Sequence, residues 1–237
     1  MKDEQFEEQI NSVFKDNIVL HGPFKGMRYP QRCAIGSELY PKLLGSYESE
    51  LSNIIHFILK QNYSTVVDIG CAEGYYAVGI GMNMPDAHII GYDTNKKALA
   101  LCHKMAQLNG VVSIETAGLC TQDTIRSLNL KKKSLIISDC EGYEKTLFSE
   151  SLCEELRCHD LLIECHDFMN IEITPQLLER LSKTHTVEVI KSIDDISKVY
   201  EYDYPELKHF NLSGRRKILS ELRPQIMRWI FAKTHTT

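Results

Sequence analysis

The chain has 237 residues, of which 43% are hydrophobic and 25% charged, and this composition is typical of a globular α/β protein. Its formal net charge of -5 disfavours nucleic acid as a partner, because polyanion binding usually needs a basic face. The eight cysteines form no CxxC pair, which predicts reduced, buried thiols in a cytoplasmic protein rather than a zinc site or a disulfide framework. Because the first ten residues are acidic, we expect no signal peptide, and because no apolar run is long enough, we expect no membrane span.

Residues 1–62 are predicted to form an extension that covers the substrate. An amphipathic helix is expected over residues 1–14, and the segment HGPFKGMRYP at 21–30 is rich in turn-forming residues. A second helix over residues 48–60 leads into the first strand. The extension and the core that follows it are expected to form one compact domain.

From residue 63 to residue 237 the strand and helix patterns alternate, which is typical of a doubly wound, mostly parallel sheet. Strands are predicted at 65–70, 88–93, 111–116, 134–139, 160–165 and 184–190. Helices are predicted at 75–82, 96–108, 121–128, 143–156 and 176–183. An insertion at 192–222 precedes IMRWIFA at 226–232, which we interpret as a seventh, antiparallel strand at the far side of the sheet.

The first predicted strand runs into a glycine loop with the sequence VVDIGCAEGYY at 66–76. Parallel sheets bind ligands at the carboxyl ends of their strands, and Gly70 and Gly74 allow the backbone to turn and approach one. The spacing Asp-x-Gly-x-x-x-Gly is not the G-x-G-x-x-G of a pyrophosphate-binding turn. Acids at Asp68 and Glu73 would repel a pyrophosphate but attract a cation such as S-adenosylmethionine (SAM). We therefore predict that both acids, both glycines and Cys71 contact SAM.

Further cofactor contacts are expected where the next three strands end. Asp93 ends the second strand, where an acid can accept hydrogen bonds from both ribose hydroxyls, and Thr94 follows it. Leu119 and Cys120 follow the third strand and would contact the adenine ring, and Asp139 follows the fourth. Each such acid, taken alone, is equally consistent with a turn or helix-cap residue.

The motif SDCEGYEKTLF at 138–148, together with the glycine loop, resembles the FkbM-type class I SAM-dependent methyltransferases. That family carries Asp-x-Glu-Gly-x-Glu after its fourth strand and an acid and a histidine at the end of its fifth. The matching residues here are Asp139, Glu141, Gly142, Glu144, Glu164 and His166.

The resemblance covers roughly residues 66–168 and implies a seven-stranded Rossmann-like fold, SAM as cofactor and O-methylation of a sugar or secondary metabolite. One departure lies in the glycine loop, where the family often has Ala-Asn and this chain has Cys71-Ala72-Glu73. The acceptor expected from the resemblance is a small molecule or a glycan.

The acids and the histidine at the ends of the fourth and fifth strands are the predicted catalytic residues. These residues are Asp139, Glu141, Glu164 and His166. His166 titrates near neutral pH and is the preferred general base, while Asp139 would orient the acceptor hydroxyl. Crowded carboxylates in an apolar setting should raise one another's pKa. An alternative, which we do not expect, is that Asp139, Glu164 and His166 bind a divalent metal.

Two other functions remain open from the sequence. A nicotinamide-dependent oxidoreductase would share the fold and the ribose-binding acid, but the third glycine of its fingerprint is missing. A non-catalytic SAM-binding module would not need the crowded acids. Methylation of an amide nitrogen or of nucleic acid is disfavoured, because Asp-Cys-Glu-Gly stands where an Asn/Asp-Pro-Pro-aromatic motif would grip a planar amino group. The oligomeric state is not predicted.

Overall fold

A computed structural model describes residues 3–235, with side chains from Phe6 onward. The strands are β1 Thr65–Ile69, β2 His88–Tyr92, β3 Ile114–Ala117, β4 Ser134–Ser138, β5 Asp160–Cys165, β6 His185–Lys191 and β7 Arg228–Thr234. The helices are α1 Asp3–Val13, α2 Leu39–Leu44, α3 Ser52–Ile58, α4 Tyr75–Asn83, α5 Lys96–Leu108, α6 Gln122–Ser127, α7 Glu144–Leu147, α8 Glu150–Glu155, α9 Ile173–Leu181, α10 Asp195–Glu201 and α11 Leu212–Leu219. Short 3-10 helices lie at Ser49–Leu51 and Pro205–His209.

The seven strands form one sheet in the order β3-β2-β1-β4-β5-β7-β6. The pairs among β1 to β5 are all parallel, and β7 is antiparallel to both β5 and β6. This arrangement confirms the predicted doubly wound sheet and its antiparallel last strand. Because β1 and β4 are adjacent and parallel, their carboxyl ends bring Asp68 and Asp139 to the same edge.

The central strands are buried on both faces because their sequences are nearly continuous apolar runs. Alternate residues point to opposite sides, so that Val66 and Leu135 face one apolar cluster while Val67 and Ile136 face the other. The N-terminal extension packs into the first cluster through Phe6, Ile10 and Phe14 among others. The extension therefore shares its core with the sheet.

Several predicted boundaries differ from the structure. Strand β3 begins at Ile114, because the Val111 N–H still bonds to the Ala106 carbonyl of α5 and the register with β2 starts at Ile114. The predicted helix over 143–156 divides into α7 and α8, because the Ser149 side chain caps a new helix at the Leu152 N–H. Helix α2 was not predicted at all.

The insertion over 192–222 contains α10, the second 3-10 helix and α11, and α11 packs against α2 of the extension. The two predicted covers are thus in contact with each other. Among residues 3–235, no helix combines the length and the apolar character that crossing a membrane requires.

Candidate active site

The glycine loop joins β1 to α4 at the carboxyl edge of the sheet. Gly70 has a φ of +86°, and a Cβ at this position would lie 1.7 Å from the backbone oxygen of Asp139. The loop after β1 and the loop after β4 therefore touch backbone to backbone. A residue with a side chain would force them apart.

Asp68 and Asp93, both predicted to bind the cofactor, stabilise this loop conformation by accepting hydrogen bonds from backbone N–H groups. One oxygen of Asp68 accepts a hydrogen bond from the Ala77 N–H at 2.9 Å. Asp93 accepts from the Ala72 N–H at 2.9 Å and from the Asn95 N–H at 2.7 Å. Burial raises the pKa of Asp68 to about 7.

A cavity of about 330 Å³ opens over the loop. Its wall includes nine of the predicted site residues, namely Asp68, Gly70, Cys71, Asp93, Thr94, Leu119, Cys120, Asp139 and Glu141. The volume falls at the lower end of the range for small-molecule pockets. Ile35, Lys42 and Tyr47 of the N-terminal extension complete the wall, so the extension is part of the site.

Glu73 was expected to contact the cofactor, but its fully buried side chain is not part of the cavity wall. Its carboxylate accepts hydrogen bonds from Lys42 Nζ at 2.6 Å, from the Ile35 N–H at 3.0 Å and from the Tyr29 hydroxyl at 3.4 Å. Glu73 therefore fastens the extension to the glycine loop, because its partners Lys42 and Ile35 both belong to the extension. Gly74, also predicted as a contact, lies just outside the wall at the start of α4.

A histidine and four carboxylates meet beside the cavity. Nδ1 of His166 lies 2.7 Å from Glu144 Oε1. Its Nε2 lies 3.4 Å from Asp139, 3.5 Å from Glu141 and 3.9 Å from Glu164. The structure thus brings all four predicted catalytic residues together. Glu144 was seen in the sequence motif but was not predicted to be the partner of His166.

Burial and like charges shift the titration of this cluster. Loss of contact with bulk water raises the pKa of Asp139 to about 7, and the charges of Glu48 and Glu141 add to the shift. Burial and the Asp139 charge raise the pKa of Glu164 to about 8. The predicted upward shifts are therefore present at both strand ends.

His166 experiences two opposing effects. Burial alone would lower the pKa of His166, but its hydrogen bond to Glu144 and the surrounding carboxylate charges outweigh burial and raise it. The histidine therefore keeps its proton to a higher pH than a free imidazole does.

Arg223, which directly follows the insertion, connects the cluster to the extension. Its guanidinium pairs with Glu164 and Glu48, and its Nε lies 2.9 Å from Glu221. Burial of Glu48 raises its pKa to about 7 despite this pairing. No sequence pattern indicates this contact, because Arg223 lies 59 residues from Glu164 and 175 from Glu48.

Asp139, Glu164 and His166 also meet the geometric requirement for a metal site. Each offers one ligand atom, and these atoms lie within 4.8 Å of one another. Glu144 holds the other imidazole nitrogen, as carboxylates do behind metal-binding histidines. However, Arg223 already neutralises Glu164, which weakens that ligand toward a cation. The set is chemically able to hold a divalent ion, as the alternative interpretation of the sequence supposed.

Comparisons with known proteins place this arrangement in a known fold. A family model described as methyltransferase small domain matches residues 51–140. The chain superposes with a Klebsiella pneumoniae protein provisionally described as an O-methyltransferase, with a TM-score of 0.54 and 10% identity over 81% of each chain. The chain has the class I SAM-dependent methyltransferase fold.

Two further relatives differ in what their names say they methylate. A Clostridium thermocellum protein, provisionally described as an rRNA methylase, superposes with a TM-score of 0.50 and 13% identity over 79% of this chain and 97% of that one. A release factor glutamine methyltransferase of Flavobacterium psychrophilum is 32% identical over 83 residues, which is 31% of this chain and 29% of that protein. The match therefore spans less than a third of this curated relative.

SAM is the cofactor that the class I methyltransferase fold implies, as predicted from the acids of the loop. Neither the family model nor these relatives confirm the narrower FkbM-type resemblance. The expectation from net charge that nucleic acid is not a partner stays a prediction.

Proposed function

We propose that this protein is a SAM-dependent methyltransferase that methylates a hydroxyl group on a small molecule or glycan, with His166 as general base. The observation that carries the proposal is the position of Nε2 of His166, 3.4 Å from a carboxylate oxygen of the cavity residue Asp139. A base is thus adjacent to the cavity that we assign to the cofactor.

Hydroxyl methylation needs a base because a hydroxyl loses its proton with difficulty at neutral pH. SAM supplies an electrophilic methyl group on a positively charged sulfur. In the transfer, the acceptor oxygen would bond to the methyl carbon as the carbon–sulfur bond breaks and leaves its electron pair on sulfur, and His166 would take the hydroxyl proton. Asp139 would orient the acceptor so that its reacting oxygen lies about 3 Å from the methyl carbon.

The acids of the cluster support the proposal in a second way. Asp139 and Glu141 line the cavity, and Glu164 lies behind them beside His166. Ionised carboxylates at this position would stabilise a positive charge on the cofactor and on the protonated imidazole. The remaining cofactor contacts would come from Gly70, Cys71 and Thr94 at the loop, Asp93 at the ribose, and Leu119 and Cys120 at the adenine.

The exposed surface next to His166 suits an acceptor with an apolar face. The Phe168 ring packs edge-on against the His166 ring, with 5.8 Å between the centroids. Phe168 and the neighbouring Met169 are 45% and 58% exposed. Sugars and many secondary metabolites have an apolar face of C–H groups next to their hydroxyl groups, and aromatic side chains stack on such a face.

The test has a binding step and a transfer step. Calorimetry with SAM, S-adenosylhomocysteine and NAD should show binding of the first two alone. Labelled SAM is then incubated with separate panels of glycans, hydroxylated metabolites, glutamine peptides and RNA. Transfer to a hydroxyl supports the proposal, whereas transfer confined to a nitrogen, or binding without any transfer, contradicts it.

A further inference from the structure

The charges on the cavity wall are unevenly distributed. Four acids line it, at Asp68, Asp93, Asp139 and Glu141. Among the described residues of the wall, Lys42 is the sole lysine or arginine. A ligand that fills this cavity and carries one anionic group thus has one basic side chain to meet it.

Lys42 is held firmly in place. Its side chain is 3% exposed, and Nζ lies 2.6 Å from Glu73 Oε1. The same Nζ lies 4.8 Å from the ring centroid of Tyr47 and 5.3 Å from that of Tyr75, where ring faces favour a cation. Helix α2, which carries Lys42, ends at Gly45, where the backbone comes so close to His21 that a Cβ would lie 2.1 Å from the His21 oxygen.

The Lys42 ammonium group carries three N–H groups. Within the part of the chain that the structure describes, one hydrogen bond from this group is found, to Glu73. Glu73 is also bound by the Ile35 N–H, so the ion pair is fixed at both ends. Because Glu73 belongs to the glycine loop, Lys42 lies at the glycine-loop end of the cavity, where its charge lowers the pKa of Asp68 against the larger effect of burial.

SAM has one group that the acids of this cavity would repel. Its sulfonium and ammonium groups are cationic and its ribose donates hydrogen bonds, but its methionine end carries a carboxylate. We infer that Lys42 Nζ binds this carboxylate, so that the N-terminal extension selects for the amino-acid end of the cofactor. The inference rests on the proposed use of SAM, and it gives the buried Lys42–Glu73 pair a role in binding.

The test compares two ligands that differ by one carboxylate: S-adenosylhomocysteine and its decarboxylated form, S-adenosyl-3-thiopropylamine. The variants are the neutral pair Lys42→Met/Glu73→Gln, which leaves no buried charge unpaired, and Glu73→Gln alone, which keeps the lysine. The intact protein should prefer the carboxylate ligand by about 10- to 100-fold, the range for a hydrogen bond between charged groups. The double variant should lose this preference through weaker binding of S-adenosylhomocysteine, and Glu73→Gln should keep it.

Each outcome has a distinct meaning. Equal affinity of the intact protein for both ligands overturns the role of Lys42, and so does a double variant that keeps the preference. Loss of the preference in Glu73→Gln would show that the pair acts through structure alone, which also overturns it. If the intact protein binds neither ligand, the proposed function itself fails. The comparison on the intact protein remains decisive even if the double variant does not fold.

Discussion

Nδ1 of His166 and Oε1 of Glu144 lie 2.7 Å apart, and both side chains are almost completely buried. Glu144 has no donor proton when ionised, so Nδ1 must carry the hydrogen of this bond. The lone pair of the neutral imidazole is then on Nε2, which faces Asp139 and Glu141. The pair therefore orients His166 to take a proton from a group that is bound between the histidine and the cavity.

Replacement of this histidine should affect turnover and not cofactor binding. We expect His166→Ala to lower kcat by about 100-fold or more, the usual contribution of a general base. The affinity for S-adenosylhomocysteine should change little, because His166 is not part of the cavity wall. Single-turnover methyl transfer and calorimetry on the same preparation measure the two effects.

His56→Ala is the matched control, because the His56 side chain is exposed on α3 and is not part of the cavity wall. Its kcat should equal that of the unmodified protein. Near-normal turnover in His166→Ala would rule out the histidine as the base and direct attention to Glu164.

The pH dependence of turnover should depend on Glu144. A base acts in its deprotonated form, so the rate rises as pH rises through the pKa of His166, which the carboxylates hold above its ordinary value. Glu144→Gln keeps a hydrogen-bond acceptor but removes the charge that raises this pKa. The rising limb of kcat/KM should therefore move to lower pH in this variant.

Rates measured at several pH values in both proteins give the comparison. Glu141→Gln is a useful second variant, because Glu141 is largely exposed and its charge is screened by water. It should move the limb less than Glu144→Gln does. A rising limb at the same pH in all three proteins would mean that His166 is not the titrating group.

The preference for a cationic ligand should itself depend on pH. The pKa values of Asp139 and Glu164 are raised to about 7 and about 8, so these acids are largely neutral at low pH and ionise through the neutral range. SAM carries the sulfonium charge that S-adenosylhomocysteine lacks. The affinity ratio of the two ligands should thus rise between about pH 6 and pH 9, in favour of SAM.

Competition titrations at fixed ionic strength measure this ratio directly. Asp139→Asn removes the cavity carboxylate next to the expected methyl position and should flatten the pH dependence. A ratio that stays constant over the whole range in the unmodified protein would show that the acids of the cluster do not sense the sulfonium charge.

The parts of the site that the sequence predicts are those that lie at strand ends. Asp68, Asp93 and Asp139 each follow a strongly apolar run, and parallel pairing places such positions at one edge without further information. Glu164 and His166 are predictable for the same reason, because Glu164 is the penultimate residue of β5 and His166 directly follows the strand. The fold and the acidic side of the site therefore follow from local pattern and a general rule of sheets.

The basic side of the site does not follow from such a rule. Lys42 lies on a six-residue helix that is too short to show periodicity, and its partner Glu73 is 31 residues away. Arg223 reaches Glu164 and Glu48 from a loop between α11 and β7. Both contacts depend on how the extension and the insertion fold over the sheet edge, which is set by packing rather than by local propensity. The contact between Glu73 and Lys42 was not predicted for the same reason.

Alanine substitutions at Gly70 and Gly26 can separate two costs of replacing a glycine. One is the strain of a left-handed backbone, and the other is the steric clash of the added Cβ. The two glycines have similar φ values, +86° and +92°. A Cβ at Gly26 would meet nothing within 4 Å, whereas one at Gly70 would lie 1.7 Å from the Asp139 oxygen. Gly26→Ala should therefore cost about 1–2 kcal/mol of unfolding free energy, the penalty for a side chain in this conformation. Gly70→Ala must also push apart the loops after β1 and β4, so it should cost clearly more and abolish SAM binding. Chemical denaturation and calorimetry of the two variants test this, and equal losses of stability with SAM binding retained in both would show that the contact between the two loops is not needed for the site.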